Sequence, residues 1–63
     1  MMSMYDWRVK AEGKLKDAEN LEKRGRYEHA RTFYLQAEEY FSRCGDMENS
    51  EMAGDKAEEM LER

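Results

Sequence analysis

Few residues in this sequence could carry out chemistry, and their number limits what that chemistry is. His29 and Cys44 are the only histidine and the only cysteine. One of each is too few for a closed metal site within one chain, and a lone cysteine excludes an internal disulfide. We interpret His29 as a surface histidine near a helix N-terminus; a pH-sensitive contact or a ligand shared between chains is the alternative. We interpret Cys44 as a small hydrophobe at a helix end, with a cross-linked dimer as the alternative.

The 15 acidic residues invite a catalytic interpretation that their distribution does not favour. General acid–base catalysis needs carboxylates that converge in an enclosed pocket and have perturbed pKa values. Here acidic residues alternate with lysines and arginines along predicted solvent-facing surfaces. The sequence also has no glycine-rich phosphate loop, nucleophile elbow or metal-binding motif. We therefore expect a protein that is not an enzyme and that needs no cofactor and no metal.

Composition predicts one all-α domain spanning residues 1–63. Charged residues make up 41% of the chain, proline is absent, and Val9 is the only valine or isoleucine, which argues against a sheet. A chain of this length buries about 60% of its unfolded surface and is marginally stable alone. Good helix packing, oligomerisation or a partner must therefore supply the remaining stability.

Charge and hydropathy limit the partner and the location. The formal net charge of −4 disfavours nucleic acid and an anionic membrane surface. The longest uncharged stretch, residues 32–37, is far too short to insert into a membrane. The first six residues contain no apolar signal region. These features favour a cytoplasmic protein whose partner is another protein.

Two glycines divide the chain into three predicted helices, at about residues 4–24, 26–44 and 48–62. Gly25 and Gly45 each follow basic residues, a pattern typical of a helix C-terminus. Ser3, with Asp6 three residues later, predicts a capping box at the first helix. The third helix begins at Asp46, Asn49 or Ser50, all of which are suitable N-caps. Short turns make the helices an up-down-up antiparallel bundle.

Each predicted helix has an apolar face at helical spacing. The second helix has the widest face, with alanines at its centre and aromatic residues on both flanks, so we predict that it is the central helix. The third face is the thinnest. In chain order the three faces are Met4, Trp7, Ala11, Leu15, Ala18 and Leu21; Tyr27, Ala30, Phe33, Tyr34, Ala37, Tyr40, Phe41 and Cys44; and Ala53, Ala57, Met60 and Leu61.

The second helix resembles a known pattern. Its glycine turn, the aromatic residue after the turn, and its spaced alanines look like the second half of a tetratricopeptide (TPR) repeat. The pattern is also similar to the MIT (microtubule-interacting and trafficking) domain, a three-helix bundle with a TPR-like hairpin. Lys14 and Asp17 depart from the TPR pattern, and the early turn at Gly45 makes the chain shorter than MIT domains. The matching residues are Ala11, Ala18, Gly25, Tyr27, Glu28, Ala30, Tyr34, Ala37, Tyr40 and Phe41, with a similar third helix over residues 56–63.

The MIT resemblance implies a small adaptor that seats an amphipathic helix of another protein in a groove between helices. Its candidate contacts are Tyr40 on the second helix and Ala57, Glu58 and Leu61 on the third; Tyr40 and Leu61 closing the core is the competing interpretation. The alternatives are a self-associating structural protein and an acidic inhibitor or decoy. For a homodimer, the candidate second interface is Tyr5, Val9 and Met52, which Met1 and Met2 could join.

Overall fold

The computed structural model describes residues 2–63 and contains three helices in that part of the chain. They are α1 (Met4–Lys23), α2 (Tyr27–Arg43) and α3 (Met47–Met60). The helix α2 packs against both α1 and α3. The predicted all-α, three-helix antiparallel bundle with a central second helix is therefore confirmed. No helix in residues 2–63 combines the length and the hydropathy that crossing a bilayer requires.

Side-chain caps fix the start of α1 and α3. Ser3 and Asp6 form the predicted capping box: the Ser3 hydroxyl accepts from the Asp6 amide at 3.2 Å, and the Asp6 carboxylate accepts from the Ser3 amide at 3.1 Å. Of the three candidates for α3, Asp46 is the N-cap and accepts from the Asn49 amide at 3.1 Å. Arg8 donates to the same Asp46 carboxylate at 2.8 Å, so α1 also helps to hold this turn.

Glycine ends α1 and α2 in the same way. Gly25 and Gly45 have φ angles of 76° and 78°, in the left-handed region that favours glycine. After α1, the Arg26 amide donates to the Leu21 carbonyl at 2.9 Å and the Gly25 amide to the Glu22 carbonyl at 3.0 Å. This is the Schellman arrangement, and the turn at Gly45 repeats it. Both predicted helix ends are confirmed.

Alanines form the centre of the core. Ala30 and Ala37 of α2 are fully buried. They lie in two clusters with alanines of α1 and α3, and Tyr34 and Phe41 are the largest buried side chains beside them. Cys44 is buried, and its thiol donates to the Phe41 carbonyl at 3.3 Å, which agrees with its interpretation as a small hydrophobe. The predicted apolar face of α2 is the face that packs.

Two predicted core residues lie outside the core. Met4 is 63% exposed and Leu61 is 65% exposed. Met4 is the first residue of α1, and its terminal methyl lies beside the turn at Gly45. Leu61 is the C-cap of α3 and keeps helical dihedrals, but at about 100° per residue it lies on the flank of the buried face formed by Ala53, Ala57 and Met60. Ser50 is buried instead, with its hydroxyl donating to the Glu38 carbonyl at 3.0 Å.

Two glycine substitutions should change stability in opposite directions. Gly13 is exposed in the middle of α1, and a Cβ there would meet nothing within 4 Å. We expect Gly13→Ala to stabilise the fold by about 0.5–1 kcal/mol, because alanine is the better helix former. We expect Gly25→Ala to destabilise it by about 1–2 kcal/mol, because alanine resists the left-handed conformation. Urea denaturation of both variants tests this; a Gly25→Ala variant as stable as wild type would contradict it.

Candidate functional site

A shallow groove runs between α2 and α3 on the surface of the bundle. Two leucines, Leu35 of α2 (38% exposed) and Leu61 (65% exposed), provide its exposed apolar surface. The groove encloses about 320 Å³ and is open to solvent, which suits a flat or helical partner better than a small molecule. Its lining residues are Arg31, Leu35, Glu38, Glu51, Gly54, Asp55, Ala57, Glu58 and Leu61.

The structure places three of the four predicted contact residues together in this groove. Ala57, Glu58 and Leu61 all line it, with Ala57 buried and the other two exposed. Tyr40 lies elsewhere: its ring stacks on Trp7 of α1 with centroids 5.4 Å apart. The predicted position of Tyr40 beside this groove is therefore wrong, because this flank of α2 faces α1 and the opposite flank, which includes Leu35, faces the groove. Whether Tyr40 contacts a partner stays a prediction.

Gly54 is a groove residue that sequence reasoning missed. The Glu38 side chain lies across α3 at this position, and a Cβ on residue 54 would overlap the Glu38 carboxylate. Glycine therefore lets a charged side chain of α2 cross onto α3. A glycine inside an otherwise helical stretch was the signal in the sequence, since it costs helix stability and needs a packing reason.

A second cleft continues the groove past the end of α3. Arg31 and Leu61 line both the groove and this cleft, so the two form one surface. Arg63 lies over the Tyr27 ring at 5.6 Å, and His29 is exposed near the start of α2 as predicted. We call this region the basic cleft; it is lined by Gly25, Arg26, Tyr27, Glu28, His29, Arg31, Met60, Leu61 and Arg63.

The charges on the combined surface are segregated. The groove has four carboxylates against one guanidinium, that of Arg31. The basic cleft has three guanidinium groups against one carboxylate, that of Glu28. We call the part of the groove lined by Glu38, Glu51, Asp55 and Glu58 the acidic end; its carboxylates on α3 extend from near the start of that helix to its last turn. The basic end is the basic cleft beside the start of α2.

A partly buried network at Glu22 joins all three helices next to the basic cleft. The Tyr34 hydroxyl donates to Glu22 Oε1 at 2.7 Å, and Lys56 Nζ lies 3.3 Å from both carboxylate oxygens. Arg63 approaches the same carboxylate at 3.7 Å. The hydrogen bond from Tyr34, together with these cations, lowers the pKa of Glu22, whereas burial and the bond to Glu22 raise the pKa of Tyr34.

The opposite seam, between α1 and α2, is covered by cations over aromatic rings. Lys14 lies 5.0 Å above the Phe33 ring, and Arg43 lies 4.8 Å above the Trp7 ring. The aliphatic part of a lysine covers apolar surface while its ammonium stays in water. Lys14 therefore covers apolar surface of Phe33 at the boundary between α1 and α2.

The candidate second interface is only partly supported by exposure. Tyr5 and Val9 on α1 are 73% and 49% exposed, whereas Met52 on α3 is half-buried. Met1 lies outside the described residues, and Met2 is half-buried. Met4 and Met47 are also exposed, although sequence reasoning did not assign either to this interface.

Among residues 2–63, no group of three or more His, Cys, Asp and Glu side chains has an arrangement that would hold a metal ion. Comparison with protein-family models, with curated proteins and with solved structures gave no match. The resemblance to MIT domains and TPR hairpins therefore stays a prediction that rests on the quoted residues.

The Glu22 network should make stability depend on pH. Because the folded-state pKa of Glu22 lies below its ordinary value of 4.5, its contribution is complete above that value and is lost as the pH falls through the folded pKa. We expect Glu22→Gln to cost on the order of 1 kcal/mol at neutral pH and to reduce the loss of stability between about pH 5 and pH 3.

Urea denaturation at each pH measures this effect. Glu12→Gln, at an exposed position on the same helix, is the control for removing one carboxylate. If Glu22→Gln and Glu12→Gln change the pH profile equally, the network does not stabilise the fold through the charge of Glu22.

Proposed function

We propose that this chain is a small non-catalytic interaction module, an adaptor that seats an amphipathic helix of another protein in the groove between α2 and α3. The observation that carries the proposal is the pair of exposed leucines, Leu35 and Leu61, on the two helices that border one groove. Ala57 lines the groove between them but is only 2% exposed and packs in the core, so the accessible apolar surface is that of the two leucines. The resemblance to MIT domains supports the same groove.

The dimensions of the groove suit a short helix. From Tyr27 to Glu38 the surface follows α2 for about 16 Å, or three helical turns, at the usual helical rise. A partner helix of that length presents apolar side chains at spacings of three and four residues to the exposed Leu35 and Leu61. Only two leucines are exposed, so we expect affinity in the micromolar range.

A cytoplasmic location is part of the proposal. It rests on Cys44, which is free and buried with its thiol donating to a backbone carbonyl. A reduced lone cysteine is ordinary in a reducing compartment. The net charge of −4 supports a protein partner over nucleic acid or an anionic membrane.

Titration with a designed amphipathic helix tests the proposal. We expect a stapled leucine-bearing peptide to shift backbone NMR signals on facing sides of α2 and α3, and Leu61→Ser to weaken binding by roughly tenfold, since burial of a leucine contributes about 1.5–3 kcal/mol. Tyr5→Ser removes an exposed apolar side chain outside the groove and should leave the affinity unchanged. Signal changes confined to α1, or equal effects of the two variants, would reject the groove.

Self-association is the second candidate function, favoured by the exposure of Tyr5 and Val9. Large exposed apolar side chains that join into a patch mark an interface. If two chains associate through them, dimerisation should raise the melting temperature as protein concentration increases.

Val9→Glu distinguishes self-association from scattered surface residues. An interface at Val9 predicts a monomeric variant that is less stable than wild type at high concentration. Scattered exposure predicts a change of no more than about 0.5 kcal/mol. Sedimentation velocity of wild type and variant measures the mass directly. A wild-type monomer at millimolar concentration would eliminate self-association.

A further inference from the structure

We infer that the helix received by the groove has segregated charges, with basic side chains over the acidic end and acidic side chains over the basic cleft. This inference rests on the proposed function and adds the chemistry of the partner. It follows from the order of charges along the two helices that border the groove.

Charges and apolar residues follow one another along each wall. On α2, Arg31, Leu35 and Glu38 occupy successive turns, so the wall changes from basic through apolar to acidic. Arg63 and Leu61, in the residues that follow α3, lie at the same end of the surface as Arg31. Towards the start of α3 the groove is then lined by Glu58, Asp55 and Glu51. Both walls therefore change sign in the same direction, and one partner helix meets both signs.

The carboxylates of the acidic end have no partner within the described chain. Across residues 2–63, no lysine or arginine nitrogen lies within 4.0 Å of Glu51, Asp55 or Glu58. Their spacing of four and three residues places like charges on neighbouring turns, an arrangement that destabilises a helix. Basic side chains of a partner would relieve this repulsion when they bind.

One of the three guanidinium groups at the basic end, that of Arg63, has an ion-pair partner among residues 2–63, whereas none of the α3 carboxylates at the acidic end has one. Arg63 already lies 3.7 Å from the Glu22 carboxylate and over the Tyr27 ring. Arg26 is exposed, and Arg31 lines both the groove and the cleft. We therefore expect the acidic end to contribute more of the electrostatic selectivity than the basic end.

Side-chain charges should also determine the direction of the bound helix. A helix terminus carries about half an elementary charge, whereas each groove carboxylate carries a full one. A helix therefore enters in whichever direction places its lysines over Glu51, Asp55 and Glu58. A probe helix with segregated charges can consequently bind in the direction that its own charges select, whether its lysines lie in its first or its second half.

Two probes of identical composition test the inference. Each is a stapled helix of about 14 residues with leucines at helical spacing, and stapling makes the helix content of the two equal. One has its lysines in one half and its glutamates in the other; the second alternates them. We expect the segregated helix to bind roughly tenfold more tightly at low salt, and the difference to shrink as salt screens the charges.

Charge reversal in the protein identifies the responsible residues. The double variant Asp55→Lys with Glu58→Lys should remove the preference for the segregated helix. Glu12→Lys with Glu48→Lys makes the same change in net charge at exposed positions outside the lining of the groove and should retain the preference. A spin label attached to the lysine-bearing end of the segregated helix should broaden the NMR signals of residues at the acidic end of the groove.

The outcomes separate the two proposals. Equal affinity of the two helices, with shifts on α2 and α3, would overturn the charge inference and leave the interaction module in place. A preference that both double variants retain, or tighter binding of the alternating helix, would also overturn the charge inference alone. Failure of both helices to bind, or binding at α1 only, would overturn both proposals.

Discussion

The close approach of α2 to both neighbouring helices is the constraint on which the rest of the structure depends. Ala30 and Ala37 have no exposed surface, and they meet alanines of α1 and α3. A methyl group at the contact lets two backbones lie close together, and larger side chains there would force them apart. The aromatic residues of α2 consequently pack on either side of the alanine contacts, where they fill the space between the helices.

Apolar side chains therefore lie along the surface boundaries between α1 and α2 and between α2 and α3. Charged side chains are arranged differently at these two boundaries. Between α1 and α2, lysine and arginine side chains lie over aromatic rings and cover the seam. At the opposite seam, Glu38 crosses over Gly54, and Leu35 and Leu61 stay exposed. The cations between α1 and α2 cover apolar surface there, and the groove between α2 and α3 is the surface that we propose for a partner.

Features that depend on residues close in sequence, such as helix caps and left-handed glycines, were predicted correctly. Features that depend on how the helices pack against one another were not. Ser3, Gly25 and Gly45 were predictable because a cap or a left-handed glycine depends on neighbours within a few residues. The start of α3 stayed open because three residues satisfied the same local rule. Tyr40 was assigned to the wrong seam because periodicity gives two flanks of a helix, and only the handedness of the bundle decides which neighbour each flank meets.

Acidic side chains with ion-pair partners and acidic side chains without them lie in different parts of the described structure. Glu22 is the one carboxylate among residues 2–63 that receives a tyrosine hydroxyl and two cations from the other helices and the chain end, and its network closes the bundle beside the basic cleft. The carboxylates of α3 that face the groove receive no such partners in the same part of the chain. A small domain is only marginally stable, so repulsion among Glu51, Asp55 and Glu58 is a cost that the isolated fold bears. We propose that a cationic partner offsets this cost when it binds.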